Sequence, residues 1–108
     1  MNDVYAAREP PRSEIDALPG PALLEFGSPH CGHCRAAQPL LAAALADHPG
    51  LHHIKIADGS GRPLGRSFRV KLWPTLVFLR DGREISRLVR PSDAGAIGRA
   101  LAQIDPRG

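Results

Sequence analysis

Two cysteines separated by two residues, Cys31 and Cys34, constrain this chain more than any other feature. They follow an apolar run at 22–26 with the length and composition of a buried strand, and they open a pattern of apolar residues at helical spacing. Residues 27–30 form the loop between the two elements. The pair therefore lies at the N-terminus of a helix, directly after a strand. Because only two residues separate the cysteines, their sulfurs can meet without unwinding the helix.

The size and composition of the chain exclude several classes of protein. With 108 residues, of which 43% are hydrophobic, residues 1–108 are expected to form one globular domain. The formal net charge is only +3 and the arginines are scattered among acidic residues, so we expect no nucleic-acid partner. No apolar run approaches the roughly 18 residues of a membrane span, so no membrane partner is expected either.

The expected location of the chain bears on what its cysteines do. The segment 1–14 lacks the apolar stretch of a secretory signal, so we expect a cytoplasmic protein. Thiols are kept reduced in the cytoplasm, which argues against a structural disulfide. A disulfide across two residues would also close too short a loop to stabilise the fold much. Cys31 and Cys34 are therefore expected to serve chemistry or metal binding.

The order of apolar segments and turns predicts an α/β fold. Helices between the early strands imply parallel crossovers, whereas Asp81-Gly82 is a typical hairpin turn that makes the last two strands antiparallel. Pro39 lies inside the second helix and is expected to kink it. The last helix is capped near Asp93. The predicted order is β-α-β-α-β-α-β-β-α, with strands at 4–7, 22–26, 51–56, 75–79 and 84–89, helices at 11–17, 31–47 and 63–68, and a last helix that buries Ile97, Leu101 and Ile104.

The position of Cys31 favours its thiolate form. Free N–H groups and the helix dipole stabilise an anion at a helix N-terminus, and the thiolate is the species that attacks a disulfide. Cys34 lies one turn inside and can attack the resulting mixed disulfide. A cationic His33 beside Cys31 would stabilise the reduced dithiol and make the couple more oxidising, and His30 could do the same from the other side. The sequence thus indicates reversible dithiol–disulfide exchange.

Metal binding is the alternative use of this cysteine pair. A C-x-x-C can be half of a zinc site, and histidines lie within and after it. The chain has no second C-x-x-C, however, and His48 would lie at the far end of the helix from Cys31. His48, His52 and His53 are each expected at the surface or at a strand end. A non-catalytic binding or chaperone module, holding a metal through Cys31, Cys34 and histidines, stays open beside redox chemistry.

The chain resembles the thioredoxin-like family over most of its length, from about residue 22 to residue 104. The matching stretches are Leu23-Leu24-Glu25-Phe26, Cys31-Gly32-His33-Cys34, Pro39, Lys55, Trp73-Pro74-Thr75 running into Leu76-Val77-Phe78-Leu79, and Asp81-Gly82. The resemblance implies a thioredoxin fold, with a four- to five-stranded mixed β-sheet flanked by α-helices. It also implies that Cys31 is the nucleophile and Cys34 the resolving thiol.

The same resemblance assigns roles to residues away from the cysteines. Pro74 matches the cis-proline of the family, which turns the Trp73 backbone outward so that its N–H and C=O can pair with an extended substrate. Glu25 matches a buried acid that assists proton removal from Cys34. Lys55 matches the basic partner of that acid.

Some positions depart from the thioredoxin pattern. His30 and His33 replace the usual Trp and Pro, so the centre Cys31-Gly32-His33-Cys34 is like that of protein disulfide isomerases. Trp73 replaces a smaller residue, and Arg90 and Pro91 lie where a glycine usually lets the substrate backbone approach. The bulky Trp73 and the charged Arg90 are expected to alter which partners dock. The expected partners are disulfide-containing protein substrates and an upstream dithiol reductase. The protein is expected to be a monomer that needs no cofactor and no metal.

Overall fold

The structure is a computed structural model that describes residues 1–106. Its elements are α1 (Arg12–Asp16), β1 (Pro21–Gly27), α2 (Gly32–Leu45), β2 (His52–Ala57), α3 (Pro63–Ser67), β3 (Thr75–Arg80), β4 (Arg83–Val89) and α4 (Ala94–Ile104). Every helix and strand predicted from residue 11 onward is present, with ends that differ by at most two residues. No helix within residues 1–106 is long and apolar enough to cross a membrane.

The four strands form one mixed sheet in the order β2-β1-β3-β4. β1 pairs with β2 in parallel, as a crossover through α2 requires, and with β3 in an antiparallel arrangement. β3 and β4 form the predicted antiparallel hairpin. The near-continuous apolar runs of β1 and β3 place these two strands at the centre of the sheet, where almost every residue is buried. These observations confirm the predicted mixed sheet flanked by helices.

The predicted strand at 4–7 is wrong. Within this segment Tyr5 forms an isolated parallel bridge with Lys55, and the N–H of Ala6 donates to the carbonyl of Lys55 at 2.8 Å. Pro10 and Pro11 follow closely, and a proline has no N–H to contribute to a sheet ladder. The sheet formed by the described residues therefore has four strands rather than five.

Two apolar clusters attach the helices to opposite faces of the sheet. Neighbouring residues of a strand point to opposite faces, so Leu23 packs towards α2 and α4 while Leu24 packs towards α1 and α3. The predicted stripe on α4 is fully buried in the first cluster, as Ile97, Leu101 and Ile104. This arrangement puts the N-terminus of α2 at the carboxyl end of β1.

The hairpin between β3 and β4 turns at Asp81 and Gly82, as predicted. Their φ angles are 51° and 77°, the two left-handed conformations that a type I′ turn requires. A Cβ at Gly82 would collide with the backbone carbonyl of Asp16, so glycine is the residue that fits there. Asp81 accepts a hydrogen bond from the N–H of Gly20 at 2.8 Å, which ties the turn to the start of β1.

Candidate active site

Cys31 is the N-cap residue of α2, and its sulfur lies over the first turn of that helix. The backbone of Cys31 is extended, with φ −94° and ψ 117°, and its Sγ accepts a hydrogen bond from the N–H of Cys34 at 3.2 Å. The N–H of Cys31 donates to the carbonyl of Ser28 at 3.2 Å, which fixes the loop after β1. Cys31 is partly exposed. The sulfur of Cys31 is therefore within reach of solvent and accepts a backbone N–H at a helix N-terminus.

Cys34 is buried behind Cys31 and differs from it chemically. Its side chain is only 2% exposed, and a Cβ built on Gly27 would lie 2.7 Å from its Sγ. Burial raises the pKa of the Cys34 thiol to about 12, and the hydrogen bond to Cys31 and the charges of Cys31 and Glu25 add to this effect. Cys34 is therefore a protonated thiol at neutral pH, and it needs a base before it can attack.

The loop before β3 faces the exposed sulfur. The Trp73–Pro74 peptide bond is cis, as the resemblance predicted, and Cys31 Sγ lies 4.0 Å from the carbonyl oxygen of Trp73. The same carbonyl accepts a hydrogen bond from Arg90 Nε at 2.8 Å. The indole N–H of Trp73 donates to Asp58 at 2.9 Å, which orients the ring. The loop thus presents its backbone beside the reactive sulfur.

Arg90 changes the expectation that the Trp73 carbonyl is open to substrate. Its guanidinium already occupies that carbonyl, and its backbone N–H donates to the carbonyl of Pro74 at 2.9 Å. The φ angle of Arg90 is 49°, in the left-handed region where glycine is favoured. The Trp73 carbonyl is therefore already hydrogen-bonded to the side chain of Arg90.

Glu25 is completely buried on the face of β1 that packs against α2. It pairs in register with Lys55 of β2, whose Nζ lies 4.0 Å from Glu25 Oε2. The structure therefore places the acid and the base together, as the resemblance implied.

Two closer partners of Glu25 were missed from the sequence. His53 Nε2 lies 2.9 Å from Glu25 Oε1, and Gln38 Nε2 donates to Glu25 Oε2 at 2.8 Å. His53 was expected at the surface or at a strand end, and it does lie near the start of β2. It is buried, however, because it lies two residues before Lys55 and therefore points to the same buried face of β2. Gln38 follows Cys34 by four residues, so it lies one helical turn along the same side of α2. These two spacings were the signals available in the sequence.

Tyr5 is a further neighbour that the sequence did not indicate. A Cβ built on Gly27 would lie 3.2 Å from its hydroxyl, on the side where Cys34 Sγ also lies, and Lys55 Nζ sits 4.7 Å from the centre of its ring. Burial raises the pKa of Tyr5 to about 12, and the negative charges of Cys34, Glu25 and Cys31 add to the rise. The hydroxyl is therefore protonated at neutral pH.

The remaining histidines do not converge on the cysteines. His30 and His33 are exposed, beside Cys31 in sequence, and Gly32 begins α2. His52 is exposed, as expected, but His48 is buried and its Nδ1 pairs with Asp105 at 2.9 Å, because the end of α4 covers it. Among residues 1–106, no three His, Cys, Asp or Glu side chains are grouped closely enough to hold a metal ion.

The two sulfurs can perform two-electron redox chemistry by themselves. Both cysteines are free thiols in the structure, and only two residues separate them at the first turn of α2. Cys31 can form a disulfide with an external sulfur, and Cys34 can then displace that sulfur. The buried group around Glu25 holds a carboxyl group on the face of the sheet that packs against α2.

Comparison with known proteins found a matching family and several similar proteins. A family model described as Thioredoxin matches residues 8–103. A thioredoxin of Chlamydia trachomatis is 31% identical, with 78% of this chain and 82% of that protein covered. Protein disulfide-isomerase A2 of Pongo abelii is 37% identical over 70% of this chain and 18% of that protein. The structure of thioredoxin 2 from Pseudomonas aeruginosa PAO1 in its reduced form superposes with a TM-score of 0.87 at 55% identity, covering 100% of both chains.

Proposed function

The chain belongs to the thioredoxin family and is a thiol–disulfide oxidoreductase, and we propose that Cys31 is its attacking thiol and Cys34 its resolving thiol. The observation that carries this assignment is the contrast between the two sulfurs. Cys31 is partly exposed and accepts the N–H of Cys34, whereas Cys34 is buried with a pKa raised to about 12. The exposed sulfur can reach a protein disulfide, and the buried one can reach only Cys31.

The exchange proceeds in two displacement steps, and atoms and electrons balance in each. The Cys31 thiolate attacks one sulfur of the substrate disulfide, which forms a mixed disulfide and releases the other substrate sulfur as a thiolate. Cys34 then loses its proton and attacks Cys31, which forms the Cys31–Cys34 disulfide and releases the second substrate thiolate. The substrate gains two electrons and the protein loses two.

Glu25 serves as the base for the second displacement in this proposal. Its carboxylate is buried on the same side of the sheet as α2, and its charge is among the causes that raise the pKa of Cys34. Lys55, 4.0 Å from Glu25, supports the charged form of the acid. A buried carboxylate whose charge acts on a buried thiol is suited to receive the proton of that thiol.

Substrate docking involves the loop before β3. The backbone of Trp73 and Pro74 lies beside Cys31, and we propose that an extended segment of the substrate pairs with it. Arg90 would then select among substrates. Its guanidinium must either share the Trp73 carbonyl with a substrate N–H or give up its own hydrogen bond to that carbonyl. His33 and His30, exposed on either side of Cys31, would tune the redox potential through their charge.

Members of the thioredoxin family act on disulfide substrates and are themselves reduced by a reductase. We propose that this chain, as one domain over residues 1–108, works as a monomer in the cytoplasm on disulfide-containing proteins. An upstream dithiol reductase would regenerate the Cys31–Cys34 dithiol after each exchange. No cofactor is required, because the two sulfurs hold the electrons.

Reduction of insulin by dithiothreitol tests the proposed function. The protein should accelerate the reaction, and Cys31→Ser should abolish the acceleration. Cys34→Ser should abolish turnover too, and in the absence of dithiothreitol it should retain a substrate molecule in a mixed disulfide with Cys31. Absence of acceleration by the wild-type protein would contradict the catalytic assignment and favour a non-catalytic binding module.

A further inference from the structure

His53 is buried on β2, an edge strand of the sheet, and both of its ring nitrogens have partners. Nε2 lies 2.9 Å from Glu25 Oε1, with the two side chains 3% and 0% exposed. Nδ1 lies 3.0 Å from the backbone N–H of Asn2. The exchange mechanism above makes no use of this histidine, although it touches the acid on which that mechanism depends.

These two contacts fix the tautomer of His53. A backbone N–H can only donate, so Nδ1 must accept and carries no proton. The proton of a neutral imidazole then lies on Nε2, which donates it to Glu25. A doubly protonated ring would set an N–H of Nδ1 against the N–H of Asn2, so the contact with Asn2 also favours the neutral ring.

The contacts of Gln38 likewise fix the orientation of its side-chain amide. Its Nε2 donates to Glu25 Oε2 at 2.8 Å and to the carbonyl of Cys34 at 2.9 Å, while its Oε1 accepts from Lys55 Nζ at 3.3 Å. A flipped amide would set its nitrogen against the ammonium and its oxygen against a carbonyl. Each oxygen of Glu25 therefore faces an N–H donor, and the arrangement matches a carboxylate rather than a protonated acid.

The N-terminal segment holds His53 in this position from outside the sheet. Besides the backbone contact, Asn2 Nδ2 donates to the carbonyl of His53 at 3.2 Å, and Asn2 Oδ1 accepts from the N–H of Val4 at 3.0 Å. The segment continues along β2, where Tyr5 bridges Lys55. Residues 2–6 thus contact both β2 side chains that surround Glu25.

We propose that His53, fixed as its Nε2–H tautomer by the N-terminal segment, is a positioning residue that keeps Glu25 as the carboxylate that receives the proton of Cys34. This inference rests on the proposed role of Glu25. In the resolving step the S–H bond of Cys34 breaks, its electron pair forms the bond to Cys31, the substrate thiolate leaves, and the proton passes to Glu25. The charged and titratable groups near Glu25 are His53, Lys55, Tyr5 and Cys34.

Two substitutions distinguish the effect of the Nε2–H donor of His53 from the effect of the size of its side chain. The amide nitrogen of His53→Gln can reach the position of Nε2, whereas the shorter amide of His53→Asn reaches only that of Nδ1. Ellman's reagent is a suitable probe, because attack by Cys31 releases one coloured thiolate and attack by Cys34 releases a second. The first release depends on reagent concentration and the second does not, so the two steps are read separately.

We expect His53→Asn to slow the second release about tenfold or more, as loss of one hydrogen bond to a charged acceptor implies, and to change the first less than about twofold. His53→Gln should stay within about threefold of wild type in both steps, since it restores one donor. Equal slowing by both variants, or wild-type resolution by His53→Asn, would overturn the inference. Glu25→Gln is the reference: if it too resolves at the wild-type rate, the proposed role of Glu25 fails instead.

Nitrogen NMR of the unaltered protein tests the tautomer even if the variants fold poorly. At pH 7 the proton of the His53 ring should be on Nε2, with Nδ1 unprotonated, and a proton on Nδ1 would overturn the inference. Asn2→Pro removes the backbone donor, and Asn2→Ala removes only the side-chain contacts. The two tautomers of the His53 ring should therefore interconvert more in Asn2→Pro than in Asn2→Ala. Equal tautomer exchange in the two variants would contradict the role of the Asn2 N–H.

Discussion

The sulfur of Cys34 fills the space beside Gly27 that the Cβ of any other residue would occupy. The separation would be 2.7 Å, which no relaxed pair of such atoms shows. Gly27 is the last residue of β1, and Cys34 lies in the first turn of α2. The close approach of this strand to this helix thus sets where the resolving thiol lies relative to Cys31.

Gly27→Ala should displace the Cys34 sulfur. We expect a loss of about 1–3 kcal/mol of unfolding free energy, as for other overpacked cores, and slower release of the second thiolate from Ellman's reagent. Attack by Cys31 should change little, because its sulfur lies outside this contact. Gly50→Ala is the control, since a Cβ there meets no atom within 4 Å. Urea denaturation and the two-step assay measure both effects, and wild-type stability of Gly27→Ala would contradict the contact.

The raised pKa of Cys34 should make the reduced protein less stable in alkali. An unfolded cysteine loses its proton at about pH 8.5, whereas folded Cys34 keeps it to about pH 12. Between these values the unfolded state binds fewer protons than the folded state, so stability falls as pH rises, by at most about 1.4 kcal/mol per pH unit for one group.

Urea denaturation of the reduced protein at several values between pH 7 and pH 10 measures this slope. Cys34→Ala should show a smaller decline than the wild-type dithiol. Because the pKa of Tyr5 is also raised to about 12, both proteins should carry Tyr5→Phe, which removes the second group. Equal slopes with and without Cys34 would show that its thiol is not held protonated by the fold.

Lys55 should matter less to the resolving step than the acid that it supports. Its Nζ is 4.0 Å from Glu25, whereas His53 and Gln38 make direct contacts at 2.9 and 2.8 Å. We therefore expect Glu25→Gln to slow the second release from Ellman's reagent most and Lys55→Met least, with His53→Asn between them. The first release should stay within about twofold in all three, since none of these side chains contacts Cys31. A larger effect of Lys55→Met than of Glu25→Gln would contradict this order.

Arg90 should restrict substrate docking through its side chain. Arg90→Ala frees the Trp73 carbonyl, and Arg90→Gly also relieves the left-handed backbone, which costs about 1 kcal/mol for a residue with a Cβ. We expect both variants to lower KM for a disulfide-bonded peptide several-fold, with Arg90→Gly the more stable of the two. Arg83→Ala, on the exposed hairpin, is the control. An unchanged KM in both variants would remove Arg90 from the docking site.

Most helices and strands could be predicted from the sequence, because the patterns that specify them are local. The apolar runs of β1 and β3, the Asp81-Gly82 turn and the helical spacing of Ile97, Leu101 and Ile104 each determine their own element. The segment 4–7 has strand-forming residues too, but its pairing depends on a long-range contact with Lys55 that local pattern does not specify. That is why the fifth strand was expected and an isolated bridge was found.

The site was predictable where one short segment carries it. Cys31 and Cys34 were identified from their spacing and position, and Glu25, Lys55 and Pro74 from the resemblance. His53 and Gln38 could not be assigned a purpose, because their partner Glu25 lies 28 and 13 residues away and the contacts depend on the strand register and the packing of α2. Arg90 was expected at the docking groove from the resemblance, but its contact with Trp73 was not, because the guanidinium reaches the Trp73 carbonyl only across the folded loop.

Trapping the mixed disulfide tests most directly whether Cys31 is the attacking thiol and Cys34 the resolving thiol. The reduced Cys34→Ser protein is mixed with an excess of a disulfide-bonded peptide, and the adduct is located by peptide mapping and mass spectrometry. A stable adduct on Cys31, with no corresponding adduct on Cys34 in Cys31→Ser at neutral pH, is the expected result. An adduct that forms readily on Cys34 in Cys31→Ser, or none on Cys31 in Cys34→Ser, would contradict the assignment.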